Sequence, residues 1–95
     1  MIKNAELAMV NAATFALDYQ EKKSNADVDE IIKKYMVSPG SDIKNELKIY
    51  SIAAINEVLK LKRDRINRGK TNKQLIQMFV NSLPEFYRKI KDEGY

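Results

Sequence analysis

Seven basic side chains crowd into residues 60–73 of this chain: Lys60, Lys62, Arg63, Arg65, Arg68, Lys70 and Lys73, relieved only by Asp64. Cations at that density suit one chemistry above others. Each can neutralise a phosphate of a nucleic-acid backbone, and neutralising several gives binding that weakens steeply with salt. The same residues also have a purely structural use, because cations near a helix C-terminus complement its dipole and long basic side chains cover exposed turns. The chain as a whole is mildly basic, with 17 Lys and Arg against 13 Asp and Glu and a formal charge of +4. Its charge therefore matters chiefly where it is clustered.

Other chemistries are poorly supplied. The chain has no Cys and no His, which removes thiolate nucleophiles, disulfides, Cys-type zinc sites and the commonest general base and metal ligand. Catalysis would have to run on Asp, Glu, Lys, Tyr or Ser, and Lys or Tyr nucleophiles need burial or a neighbour to activate them. Asp27, Asp29 and Glu30 are crowded, but they read as an acidic cluster at a helix N-terminus rather than a divalent-metal site. Arg68-Gly69-Lys70-Thr71 imitates the end of a P-loop, yet that motif needs an earlier Gly where Asp64 stands and a preceding β-strand. No catalytic residue, metal or cofactor is expected, and the protein reads as non-enzymatic.

These residues need elements to position them, and 95 residues suffice for a single helical domain spanning 1–95. With 44% hydrophobic and 32% charged residues the composition suits a soluble globule. No apolar run approaches the ~18 residues of a membrane helix, and Glu6 and Asn11 interrupt any signal-peptide core. A cytoplasmic protein without membrane contact is the expectation.

Apolar residues recur at intervals of three and four, only three Gly and two Pro punctuate the chain, and no strand-like alternation occurs. The first helix, residues 2 to about 23, carries Ile2, Ala5, Ala8, Met9, Ala12, Ala13, Phe15, Ala16, Leu17 and Tyr19 over most of its circumference. Its polar strip is Asn4, Asn11, Thr14, Asp18 and Lys22, and Ala5, Ala12 and Ala16 would let a partner helix approach closely. Ser24-Asn25-Ala26-Asp27 stops it, with Asp27 and Glu30 at capping-box spacing for a second helix. That helix has one narrow stripe, Val28, Ile31, Ile32, Tyr35 and Met36, and Ser38-Pro39-Gly40-Ser41 ends it. The third helix starts at about Asp42, buries Ile43, Leu47, Tyr50, Ala54, Val58 and Leu61 flanked by Ile52, Ile55 and Leu59, and runs about seven turns to Gly69. Its last turns would protrude, since Arg65 falls on the continuation of the apolar arc. Thr71 can cap a fourth helix from 72 to about 80, burying Leu75, Ile76 and Phe79. Ser82-Leu83-Pro84-Glu85 reads as a fresh capping box for a short fifth helix with Phe86, Tyr87 and Ile90, after which Gly94 and Tyr95 fray.

The run Thr71-Asn72-Lys73-Gln74-Leu75-Ile76-Gln77-Met78-Phe79, followed by Ser82, Phe86 and Ile90 at matching spacing, resembles a helix-turn-helix of the LuxR type across residues 70–91. The resemblance implies that residues 84–91 enter the DNA major groove, with Glu85, Arg88 and Lys89 as base readers and Lys70 and Lys73 on phosphates.

The expected fold is all-α: a compact bundle of four to five helices with two long central helices. The first helix offers more apolar arc than a chain this short easily covers, which predicts a two-fold homodimer. The aromatics sit at core spacing rather than as base-stacking platforms. Two functions follow from different features. The basic segment points to a small nucleic-acid-binding protein, with DNA or RNA as partner. The apolar helix faces point instead to an adaptor or assembly subunit that binds a protein.

Overall fold

A computed structural model of the chain describes residues 4–37 and 45–93, all of whose regular structure is helical. Helix α1 spans Asn4–Lys22, α2 Val28–Val37, α3 Asn45–Arg63 and α4 Asn72–Glu93, with a single 3₁₀ turn at Arg65–Asn67. The turn expected at Ser38-Pro39-Gly40-Ser41, the start at Asp42, the core positions Ile2 and Ile43 and the terminal Gly94 and Tyr95 lie outside the described residues. No helix of the described residues is long and apolar enough to cross a membrane.

Ala5, Ala8, Met9, Ala12, Ala13, Ala16 and Leu17 of α1 recur at three and four, and all are buried. Asn11, Thr14, Asp18 and Lys22 form the solvent strip as the pattern predicts, joined by Leu7. Helix α3 is the main neighbour of α1. It presents Ala53, Ala54, Ile55, Val58 and Leu59, all without solvent exposure, and the alanines on both helices favour a close approach. The buried face of α3 also takes in Ser51, leaving Tyr50 and Leu61 only partly covered at its edge. The buried residues of α1 are covered by α3, α4 and α2 of the same chain, while Leu7 stays exposed.

Helix α2 is tied to α1 by aromatic and polar contacts. The Asp27 carboxylate accepts the Glu30 N–H at 2.8 Å, and Ile31 and Tyr35 fall into the core. The Phe15 ring lies 5.8 Å from Tyr19 and 5.2 Å from Tyr35. The Glu30 side chain bridges Lys23 at 2.7 Å and accepts the Tyr19 hydroxyl at 2.8 Å. Those two hydrogen bonds, Lys23 first, hold its carboxyl below the usual carboxylate range.

The expected break near Ser82 does not occur. Helix α4 is one continuous element with Pro84 inside it, so the fourth and fifth helices of the sequence reading are one. Its buried residues explain why: Leu75, Phe79, Leu83 and Ile90, with Phe86 partly buried, form a stripe with helical spacing that crosses the Ser82–Glu85 region unbroken. The Ser82 hydroxyl donates back to the Phe79 carbonyl at 3.1 Å rather than capping a new helix. Pro84 lacks the N–H that would serve the carbonyl of Val80, but both residues are exposed, so water can take its place.

A proline inside a helix and a proline at the first turn of a new helix respond oppositely to alanine. Pro84→Ala is expected to raise stability by about 1–3 kcal/mol in urea unfolding, because it restores a helix-interior hydrogen bond. A neutral or destabilising result would mean that the chain breaks at this point.

Candidate nucleic-acid interface

The basic segment does not extend α3 to Gly69 as a protruding helix. α3 stops at Arg63, and Asp64 is the reason. Its backbone is extended (φ −65°, ψ 132°), and its carboxylate accepts the Ile66 N–H at 3.0 Å, offering the chain an alternative to a further helical turn. The Asn67 N–H then bonds the Asp64 carbonyl at 3.0 Å, the Arg68 N–H the Arg65 carbonyl at 3.1 Å, and the Lys70 N–H the Asn67 carbonyl at 3.1 Å. Gly69, at φ +89°, takes the left-handed conformation that lets the chain double back towards α4.

Asn67 fixes this turn to the bundle. It is only 5% exposed. Its amide donates to the Leu61 carbonyl at 2.8 Å, which also accepts the Asp64 N–H at 3.3 Å, and its side-chain oxygen accepts the Lys70 ammonium at 3.0 Å. The start of α4 is equally determined. Thr71 Oγ1 accepts the Gln74 N–H at 3.2 Å while Gln74 Oε1 accepts the Thr71 N–H at 2.9 Å, a reciprocal capping box. The Asn72 amide ties this end to α1 through Glu21 Oε2 at 2.7 Å.

The turn gathers five of the seven sequence-predicted cations, Lys62, Arg63, Arg65, Arg68 and Lys70, around a cleft of about 310 Å³ floored by Leu75. Asp64 is the one carboxylate in its lining, and its Oδ1 accepts the Ile66 N–H. Among the described residues, none of Lys62, Arg63, Arg65 and Arg68 is paired with a carboxylate. Lys60 and Lys73 are exposed but lie outside the cleft lining. Lys70 is part of the scaffold as well as of the cleft, because its ammonium reaches Asn67 and approaches the Met78 sulfur at 3.5 Å. The P-loop imitation is empty of that motif's geometry, since a helix and a 3₁₀ turn precede Gly69 where a strand would be needed.

Glu85, Arg88 and Lys89 are exposed together on one side of α4. They do not join the basic turn. Arg88 lies fifteen residues along the helix from Lys73, about 22 Å at 1.5 Å per residue. The two-helix geometry implied by the LuxR resemblance is absent from 72–93, where Val80 and Asn81 are helical and no described non-glycine residue has positive φ. Arg88 instead borders a separate shallow cleft with Glu6, Pro84, Tyr87 and Lys91. Next to it Leu7, Val10, Val80, Leu83 and Pro84 line an apolar groove between α1 and α4. Of the acidic cluster, Asp27 caps α2 and Glu30 binds Lys23 and Tyr19.

Two residues that matter here escape a reading of the sequence: Ile66, 83% exposed at the tip, and Asn67, buried beneath it. An Asn just before a Gly that follows a helix is a local turn signal, but the bond from Asn67 to Leu61 appears only once the chain has folded back. Comparison of the chain with protein-family models, with curated proteins and with solved structures finds no match.

Asn67→Ala is expected to cost about 1–3 kcal/mol in chemical unfolding, the usual cost of leaving a buried polar partner unmatched. Amide hydrogen exchange should rise across residues 64–70 with little change in α1. Unchanged protection there would show that Asn67 does not hold the turn.

Proposed function

We propose that this protein binds nucleic acid, without catalysis, through the turn between α3 and α4. The observation that carries this reading is the convergence of Lys62, Arg63, Arg65, Arg68 and Lys70 on one cleft, with four of these cations unpaired among the described residues. Mutual repulsion of clustered cations disfavours the arrangement in isolation, and a polyanion relieves it. Guanidinium groups suit phosphates because their planar fork donates two parallel hydrogen bonds. A backbone fixed by Asp64, Asn67 and the Thr71–Gln74 box keeps the roots of these side chains in register, which lowers the ordering cost of binding. Binding by phosphate contacts alone is sequence-tolerant, so this site supplies affinity and orientation for a duplex.

The test is a salt series on the purified protein. Wild type should bind duplex DNA at low salt, with a negative slope of log K against log salt. Replacing Arg63, Arg65 and Arg68 together by Ala should flatten the slope by up to about three units, roughly 0.9 for each lost phosphate contact. The melting temperature should hold, because all three side chains are exposed. Arg88→Ala with Lys89→Ala should leave the slope nearly unchanged. Absence of binding by wild type at low salt defeats the proposal. The helical adaptor reading then takes its place, with the apolar groove between α1 and α4 as the surface to examine.

A further inference from the structure

Ile66 is the most exposed large apolar side chain of the described residues, at 83%, and it stands at the tip of the basic turn. Its position is not that of a side chain on a loose loop. The Ile66 N–H is held by Asp64, the turn is closed on both sides of it by backbone hydrogen bonds, and the neighbouring Asn67 is stapled to the end of α3. The fold thus spends several hydrogen bonds to present one aliphatic side chain to water between Arg65 and Arg68.

We propose that Ile66 is a wedge that enters the minor groove of double-stranded DNA and inserts at a base step, while the flanking arginines hold the phosphates or the groove floor. This deepens the nucleic-acid reading above and rests on it. Minor-groove proteins that kink DNA combine Arg or Lys with an inserted Ile, Leu, Met, Phe or Pro, and the inserted group must be apolar, protruding and stiffly mounted. Ile66 meets all three conditions. Its β-branched side chain is restricted at χ1, so little rotamer freedom is lost on insertion. A narrow minor groove carries enhanced negative potential that attracts Arg, and Arg65 and Arg68 are the adjacent exposed cations. A lipid surface would call for an apolar face several residues wide, but the other exposed side chains of this turn are charged: Arg63, Asp64, Arg65, Arg68 and Lys70. A protein interface is centred as a rule on a larger desolvated patch with aromatic anchors. One exposed aliphatic group with arginines one residue before it and two after it in the turn suits the gap between stacked bases with phosphates on either side.

The wedge predicts bending towards the major groove and a preference for TA and CA/TG steps, which unstack most easily. The test uses the full chain and a duplex of about 25 base pairs with one central TA step, end-labelled for energy transfer and carrying 2-aminopurine at that step. Wild type should bring the ends closer and brighten the 2-aminopurine. Ile66→Ala should keep the salt slope, since no charge is removed, and bind within about tenfold of wild type, but lose both signals. Ile66→Phe should restore them, which a merely structural role would not. Circular dichroism of both variants should match wild type.

Bending by Ile66→Ala equal to that of wild type overturns the wedge and leaves phosphate binding standing. So does a wild type that binds with a steep salt slope and leaves the duplex straight. A wild type that binds no duplex at low salt overturns both. Ile66-dependent binding to phosphatidylcholine–phosphatidylserine vesicles in place of duplex also overturns both, and assigns the tip to a membrane surface.

Discussion

The close approach of α1 and α3 is the constraint on which the bundle depends. Ala5, Ala8, Ala12, Ala13 and Ala16 on one helix and Ala53 and Ala54 on the other are all buried, and larger side chains, Met9, Leu17, Ile55, Val58 and Leu59, fill the space beside them. Alanine loses no side-chain entropy on folding and lets helix axes lie close, so many weak dispersion contacts accumulate over a short length. The arrangement also limits what the interior can do. Among the described residues the buried face of these two helices carries one polar side chain, Ser51, and α2 and α4 pack on what is left of the apolar arc of α1. Tyr35 and Ile31 close one side, and Leu75, Phe79 and Leu83 add to the same core from α4. Five of the chain's cations gather instead where α3 ends and the chain turns towards α4.

Between α3 and α4 the chain must turn tightly. Two long helices must be joined by a short connection, and the end of α3 leaves carbonyl groups without helical partners. Asn67 serves the connection, since it folds under the turn and adds its amide to the Leu61 carbonyl, which the Asp64 N–H also reaches. With its polar atoms turned inwards, the charged neighbours and Ile66 are turned out. The composition of the tip is therefore a consequence of how the turn is built: one buried polar anchor, one glycine at positive φ, and a ring of long cations for which the interior has no place.

Much of this was legible in the sequence because it is periodic or local. The interior positions Ala12, Ala16, Ala54, Ile55 and Val58 follow from spacing alone, and all are fully buried. Asp27 caps α2 as its spacing to Glu30 suggested. What was not legible depends on competition between signals. Ser82, Pro84 and Glu85 imitate a helix start, but a continuous stripe through Leu83 outweighs them once α4 lies along the core, and tertiary burial overrides a local propensity. Asp64 looked like a lone acidic interruption in a basic run, whereas its capture of the Ile66 N–H ends α3 and turns a protruding helix into a folded tip. For the candidate site the residue types were visible beforehand and the geometry was not, because five cations scattered around a helical wheel converge only when the helix stops.

The central claim is that this folded tip, and not the exposed face of α4, is the surface that meets the partner. Amide chemical-shift mapping of the ¹⁵N-labelled protein titrated with a short DNA duplex at low salt tests it most directly. The account predicts shift changes concentrated in residues 62–70 and the first turn of α4, with residues 85–91 near their free positions. Changes centred on Glu85, Arg88 and Lys89, or on the groove bounded by Leu7 and Val80, would contradict it.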